Sequence, residues 1–232
     1  LLLIAVLGIC AFNTFLYIAV LTTSAVNVGL ISSLFPVCIA LFSWMILKVR
    51  LDPIQMTGML VSIFGIIIVI VRGDFTAITA LEFVEGDIWM LAGVIAGSMY
   101  PVLLHDKPDI HPLSLLMIII LLGMLVSLPL FLLDLAQDRY VHVTGDVIGG
   151  LLYIAIFPSI LAYMFWNRGI ELIGANRAGL YLNLIPILTA IMAAALLGET
   201  LSWFHFAGRF LVICGMLLFN LQQLVSLQPR PN

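Results

Sequence analysis

The chain has 232 residues, of which 63% are hydrophobic and 9% are charged, and its mean hydropathy is +1.24. A soluble domain would need many more charged residues to cover its surface, so the composition predicts an integral membrane protein in a lipid bilayer. The net charge of −3 is spread over short connections and leaves no basic patch, which excludes nucleic acid as a partner.

Eight apolar runs follow one another along the chain, each close to the roughly 20 residues that an α-helix needs to cross the bilayer. They are apolar on every side, whereas the strands of a membrane β-barrel would alternate over segments of about ten residues. We therefore predict an all-α integral membrane protein. Its eight transmembrane helices are expected at residues 1–22, 25–47, 54–72, 87–105, 112–134, 147–170, 176–197 and 203–224.

The charged residues in the connections predict the orientation. With alternating spans, one side of the membrane receives most of the basic residues, and the other side receives most of the acidic ones. The positive-inside rule places the basic side, and with it the C-terminus, in the cytoplasm. The residues on the basic side are Lys48, Arg50, Lys107, Arg168, Arg177 and Arg230.

A segment late in the chain repeats an early one without a gap. Residues 174–208 align with residues 24–58 after a shift of 150 positions, since Pro186 then falls on Pro36 and Gly208 on Gly58. The other matching positions are Ala25 with Ala175, Gly29 with Gly179, Leu34 with Leu184, Ala40 with Ala190, Leu47 with Leu197 and Leu51 with Leu201.

The two copies are predicted to be inverted. Pro36 lies in the second helix and Pro186 in the seventh, and an odd number of crossings turns a repeated unit upside down. The later unit begins near Gly86 and has five helices, while the earlier one shows three. With equal halves, about 64 residues (150 − 86) would precede Leu1, and the intact protein would have ten helices in two inverted five-helix repeats.

These boundaries predict a domain organisation. The last three helices of the first repeat occupy residues 1–72, and a connecting loop covers 73–86. The second repeat covers 87–225, and a cytoplasmic tail covers 226–232.

Polar residues inside predicted spans indicate a candidate site, because an unpaired polar group is costly within a membrane. Asn13 and Tyr17 lie four residues apart on one helix, and so do Tyr163 and Asn167 on another. The 150-residue shift places Asn13 on Tyr163 and Tyr17 on Asn167, so each half carries an Asn and Tyr pair with the two residues exchanged.

A third polar pair precedes the repeated prolines. Ser33 and Asn183 each lie three residues before a proline, where freed backbone carbonyls are expected. One interpretation is a pair of uncharged clusters facing a central cavity; the other is hydrogen bonding that only holds helices together. The predicted substrate-binding residues are Asn13, Tyr17, Ser33, Tyr163, Asn167 and Asn183.

Other side chains allow two interpretations as well. Aromatic residues in the spans either line a path or pack against lipid and neighbouring helices. Arg168, Glu171 and Arg177 either take part in gating or reach to the membrane surface. The aromatic candidates are Trp44, Tyr100, Trp166 and Tyr181.

Nothing in the sequence favours an enzyme. The HExxH, GxxxxGK[ST] and GxGxxG motifs are absent, and the three cysteines lack the spacing of a metal site, so we predict no metal and no cofactor. An intramembrane hydrolase would have to pair Ser98 with His105 or His111.

The residues from Ala162 to Leu218 resemble the final helices of EamA-type carriers in the drug/metabolite transporter superfamily. The similar pieces are NLIP at Asn183 to Pro186, LLGE ending at Glu199, and two glycines seven residues apart at Gly208 and Gly215. The earlier LYIAVLTTSAVNVGLISSLFPV is similar to the same part of the first repeat. Where that repeat commonly has a glutamate, this chain has Val49.

The resemblance implies ten helices and ATP-independent export or exchange of small metabolites by alternating access. It implies amino-acid-like or drug-like solutes, and a bacterial inner membrane as the location. The alternative is a membrane scaffold or interaction protein with a transporter-like fold and no transport cycle.

Overall fold

The computed structural model describes residues 1–76, 84–136, 144–185, 187–188, 191–192 and 203–226. All regular elements within these ranges are helical. Short 3-10 turns cover Leu104–Asp106 and Leu182–Leu184. The α-helices are α1 Leu2–Ala19, α2 Ala25–Ser32, α3 Phe35–Leu47, α4 Pro53–Ile70, α5 Glu85–Leu103, α6 Pro112–Ala136, α7 Gly145–Ile173, α8 Ala175–Tyr181 and α9 Trp203–Ser226.

The predicted all-helical membrane fold is confirmed. Seven helical stretches among the described residues are long and apolar enough to cross a bilayer, and their ends lie within three residues of seven predicted spans. The remaining prediction, 176–197, begins as helix α8 and then falls partly outside the described residues, so the described count is seven rather than eight.

Local sequence explains several helix ends. α4 begins at Pro53, where the missing N–H is not needed, and the Asp52 N–H donates a hydrogen bond to the Gln55 side chain at 3.0 Å. α3 ends at Leu47, and the next residue, Lys48, has a left-handed φ of 58°. Gly174 alone separates α7 from α8, and its φ of 82° is a conformation that glycine adopts at little cost.

α4 and α9 run antiparallel and pack backbone against backbone. A Cβ atom added to Gly58 would lie 2.6 Å from the Gly215 carbonyl oxygen, and one added to Gly65 would lie 2.7 Å from the Gly208 carbonyl oxygen. Such close approach requires residues without side chains. The 150-residue shift converts Gly58 to Gly208 and Gly65 to Gly215, so the two contacts are reciprocal, as expected of two antiparallel copies of one helix.

α5 is the central helix of the described bundle. It contacts α1, α2 and α3. A larger share of its residues is buried than in any other described membrane span. A Cβ atom on Gly86 would lie 2.6 Å from the Ala19 carbonyl oxygen, and one on Gly93 would lie 3.4 Å from Phe15. These glycines let α1 lie directly against α5, which fixes one wall of the cavity described next.

Candidate functional site

A cavity of about 710 Å³ lies among helices from the early and the late parts of the chain. We call it the central cavity. Helices α1 to α5, α7 and α8 and the segment 182–185 contribute to its lining, whereas the described residues of α6 and α9 do not. Its volume falls within the roughly 300–1,000 Å³ typical of sites for small organic molecules.

The lining of the central cavity is mostly apolar, with a few uncharged polar groups. None of the described lining residues carries a formal charge, and Ser32, Ser33 and Asn183 supply the non-aromatic polar side chains. A wall of this kind favours a solute with an apolar body and a small number of hydrogen-bonding groups. The aromatic lining residues are Phe12, Phe35, Tyr100, Tyr163, Trp166 and Tyr181.

Two lining helices are distorted at equivalent places. α1 contains a π-helical segment at Val6–Ala11, and α7 contains one at Ala155–Leu161. Gly8 and Pro158, which the 150-residue shift superimposes, lie inside these segments and both line the cavity. Pro158 removes a backbone donor, and π-helical turns of this kind are frequent at functional sites. These distortions were not expected from the sequence.

Helices α2 and α8 both end a few residues before a position that the repeat gives to proline. α2 ends at Ser32 and α3 begins three residues later, because Pro36 has no N–H to bond the carbonyl one turn earlier. In the later half, α8 ends at Tyr181 and a 3-10 turn covers Leu182–Leu184. Pro186 itself lies outside the described residues. Both interruptions bring irregular backbone to the cavity wall.

Ser33 and Asn183 occupy these interruptions, and both line the cavity. Each is at least 95% buried. The Ser33 hydroxyl donates a hydrogen bond to the Leu30 carbonyl at 2.6 Å, and the Asn183 amide donates one to the Ser62 hydroxyl at 3.0 Å. The second bond ties the interrupted segment to α4, so the Asn183 side chain is held in a fixed position at the wall.

A chain of polar and aromatic side chains connects α1, α5 and α7. The Tyr100 hydroxyl donates a hydrogen bond to Asn167 Oδ1 at 2.8 Å, and the Tyr100 ring packs edge to face on Tyr163 with centroids 5.7 Å apart. The Asn13 side chain lies beside the Tyr163 hydroxyl and donates a hydrogen bond to the Ile9 carbonyl at 2.7 Å. Asn13 and Tyr163 are equivalent under the shift, as expected of residues near an axis that relates two repeats.

The structure brings most, but not all, of the predicted site residues together. Ser33, Tyr163 and Asn183 line the cavity, and Asn167 and Asn13 join it through their contacts with Tyr100 and Tyr163. Tyr17 does not join them. Its side chain is 64% exposed, one helical turn beyond Asn13 toward the end of α1.

Tyr100 is a lining residue for which the sequence left two interpretations open. It is 3% exposed, and the space over its ring exists because residue 8 is glycine. The repeat could not assign its role, since no residue of the sequence is equivalent to Tyr100 under the shift of 150 positions. The hydrogen bond to Asn167 identifies it as part of the wall rather than a lipid-facing aromatic residue.

A buried carboxylate at the start of α5 was not predicted. Asp87 is 1% exposed, and its oxygens accept hydrogen bonds from Thr23, from the Asn27 amide at 3.0 and 2.9 Å, and from the Val84 N–H at 2.9 Å. Several donors satisfy it without a cation, so it fastens the turn after α1 to α5. Only the folded contacts reveal this burial, because in sequence Asp87 resembles an ordinary first-turn carboxylate.

The charged residues at the end of α7 form ion pairs. Glu171 lies 2.6 Å from the Lys107 ammonium and 3.0 Å from the Arg168 guanidinium. This arrangement holds the end of α7 to the segment after α5. None of the three residues lines the central cavity.

The described residues do not form the hydrogen bond that an intramembrane hydrolase would need between Ser98 and a histidine. Ser98 is fully buried, and in the described part of the chain no hydrogen bond joins its hydroxyl to His105 or His111. His111 instead accepts a hydrogen bond from the Leu113 N–H at 3.3 Å. Glu199, named for its resemblance to the family pattern, lies outside the described residues.

Comparison with known proteins agrees with this fold. Residues 1–71 and 84–221 match the EamA-like transporter family. The uncharacterized transporter YyaM of Bacillus subtilis (strain 168) is 31% identical over 218 residues, which cover 92% of this chain and 70% of that protein. A solved crystal structure superimposes with a TM-score of 0.79 at 17% identity, over 98% of this chain and 78% of the other.

A further relative carries a functional description. The probable amino-acid metabolite efflux pump of Salmonella typhimurium (strain LT2) is 25% identical over 179 residues, which cover 72% of this chain and 58% of that protein. The family match extends over nearly the whole chain. The chain therefore belongs to the EamA-like transporter family, and it is an integral membrane protein with a small-molecule substrate.

Proposed function

We propose that the protein is a secondary transporter that exports or exchanges small amino-acid-like or drug-like metabolites by alternating access around the central cavity. The observation that carries this proposal is the cavity itself. It holds about 710 Å³, has no charged residue in its described lining, and is bounded by helices from both predicted repeats. Such a wall suits solutes that are neutral overall and have an apolar body.

The reciprocal contacts between α4 and α9 support the mechanism. Alternating access in inverted-repeat transporters is largely a rocking of one repeat against the other around a fixed site. Here residues 1–72 and 87–225 would be the two units. Their equivalent glycines meet in pairs, and the equivalent π-helical segments both reach the cavity. The interrupted helices provide irregular backbone only where it lines a cavity, as membrane proteins require.

The location and orientation of the protein are also proposals. Bacterial relatives favour the inner membrane. The basic residues at one end of the helices favour a cytoplasmic C-terminus. Two of these residues, Arg50 and Arg177, line one recess, and Lys107, two residues after His105 of the same recess, forms an ion pair with Glu171.

Counterflow in proteoliposomes tests the function. Full-length protein should exchange at least one solute from a panel of neutral amino acids, nucleosides and drug-like amines down its gradient. We expect Asn183→Ala, Asn167→Ala and Asn13→Ala each to reduce the initial rate by about tenfold, because the loss of one buried hydrogen bond in the wall costs about 1–1.5 kcal/mol.

A matched control separates the cavity from general folding. Asn220 is a membrane asparagine on α9 whose amide bonds to the Met216 carbonyl of its own helix at 2.8 Å, away from the cavity. Asn220→Ala should transport at the rate of the unmodified protein. Full-length protein that exchanges no solute in the panel would instead favour the scaffold alternative.

A further inference from the structure

A second cavity, of about 370 Å³, lies at the end of the molecule where α3 and α7 finish and α4 and α8 begin. We call it the basic recess. No residue of the recess is among the predicted substrate-binding residues. Its polar lining residues include Ser43, Arg50, Asp52, His105, Asn176 and Arg177.

The recess has an excess of positive charge. Arg50 and Arg177 both line it, and neither guanidinium forms an ion pair within the described part of the chain. The only carboxylate in the lining is that of Asp52, and it forms no ion pair with either arginine in the described part of the chain. Two unpaired guanidinium groups in one recess suit a carboxylate ligand, since arginine presents paired N–H donors to both oxygens.

Two polar atoms at the recess also lack partners. Ser43 is 1% exposed and its hydroxyl has no hydrogen-bond partner among the described residues, and the same holds for the buried Oδ1 atom of Asn176. Buried polar atoms are almost always hydrogen-bonded in native proteins. An oxygen such as Asn176 Oδ1 accepts hydrogen bonds only, so a ligand that satisfies it must supply an N–H or O–H group.

One buried apolar cluster, which we call the apolar layer, borders both the recess and the central cavity. It consists of Ile39, Val102 and Ala175. Ile39 lines the central cavity and Ala175 lines the recess. A solute bound in the recess therefore lies against the same cluster that borders the central cavity.

We propose that the basic recess is a loading site for small amino-acid-like solutes, separate from the central cavity. Arg50 and Arg177 hold the carboxylate, and Asn176 Oδ1 accepts a hydrogen bond from the amino group. The proposal rests on the proposed transport function, because a loading site has a purpose only if the solute then moves past the apolar layer. It adds a carboxylate requirement that the uncharged central cavity does not impose.

Ligand protection of the arginines tests the recess without measuring transport. Full-length protein is treated with phenylglyoxal, which modifies arginine, and modification is quantified by peptide mass spectrometry. The probes are L-leucine, 4-methylpentanoate, which lacks the amino group, isoamylamine, which lacks the carboxylate, and inorganic phosphate. Arg72, which lies in the connection after α4 rather than in the recess, is the internal control.

L-leucine at ten times its Kd should slow modification of Arg50 and Arg177 by about tenfold and leave Arg72 unchanged. 4-Methylpentanoate should protect more weakly, and isoamylamine should not protect. Asn176→Ala should reduce protection by leucine to the level of 4-methylpentanoate. Equal protection by phosphate would show an unspecific anion site and would overturn the amino-acid assignment.

The Asn183→Ala variant distinguishes this proposal from the transport function. If that variant loses transport but leucine still protects Arg50 and Arg177, the two sites are separate, as proposed. If leucine protects neither arginine in the unmodified protein, the recess is not a loading site, whatever the transport assay shows. Loss of protection in Asn183→Ala would place leucine only in the central cavity and would also overturn the proposal.

Discussion

A single methyl group at Gly65 should separate α4 from α9. The Cβ atom of Gly65→Ala would lie 2.7 Å from the Gly208 carbonyl oxygen and 2.9 Å from both the Leu211 Cβ atom and the Val212 nitrogen. Nonbonded heavy atoms are most favourable at about 3.5–4.0 Å, so the two backbones would have to move apart by about 1 Å. Side-chain rotation cannot relieve these contacts, because two of the three atoms belong to the backbone and the third is a Cβ atom.

The expected cost is that of overpacking, about 1–3 kcal/mol of unfolding free energy. Gly150→Ala is the matched control, since Gly150 lies within α7 and its added Cβ has no atom within 4 Å other than those of its chain neighbours and its own helix backbone. Replacing a helical glycine without steric conflict should stabilise the protein by about 0.5–1 kcal/mol. The two substitutions therefore predict changes of opposite sign.

Reversible unfolding in mixed detergent micelles, followed by circular dichroism, measures both variants. Gly215→Ala should destabilise the protein as Gly65→Ala does, because the repeat places the two glycines at equivalent positions. If Gly65→Ala is as stable as Gly150→Ala, the backbone contact between α4 and α9 does not exist as described.

Three further substitutions test other parts of the account. Tyr100→Phe should lower the unfolding free energy by about 1–3 kcal/mol, because it leaves the buried Asn167 oxygen unpaired; an unchanged value would contradict the hydrogen bond. Asp87→Asn should lower the unfolding free energy by about 1.5–3 kcal/mol, because it places an amide against the donors that face Asp87. Asp146→Asn, at an exposed position, should change the unfolding free energy by less than about 0.5 kcal/mol. Glu171→Gln should cost less than about 1 kcal/mol, since its ion pairs are partly exposed, and a larger loss in the same unfolding measurement would show a structural role for the pairs.

The sequence was sufficient for the spans, and it predicted several of the residues that line the central cavity. Hydrophobic length determines where a helix crosses a membrane, so the predicted ends lie close to those observed. The repeat identified Ser33 and Asn183 because each precedes a repeated proline by three residues, and helices α2 and α8 end just before these two positions. Helical spacing alone was less reliable, since it grouped Tyr17 with Asn13 without showing that the cavity ends before Tyr17.

The remaining features depend on contacts between distant segments. Asp87 is buried against Thr23 in the connection before α2 and against Asn27 in the first turn of α2, and no local pattern encodes these contacts. Tyr100 belongs to the cavity wall because Gly8 on α1 leaves space for its ring. In both cases the sequence supplies the residue types, and the packing of α1 against α5 supplies the role.

A cysteine-labelling experiment tests the central cavity most directly. Ser33→Cys is introduced into full-length protein whose native Cys10, Cys38 and Cys214 have been replaced, and a bulky methanethiosulfonate reagent is applied in proteoliposomes. Labelling should abolish solute exchange, and transported solute should slow the labelling. The same reagent on Thr57→Cys, an exposed position on α4, should leave exchange unchanged. Full exchange after complete labelling at position 33 would contradict transport through the central cavity.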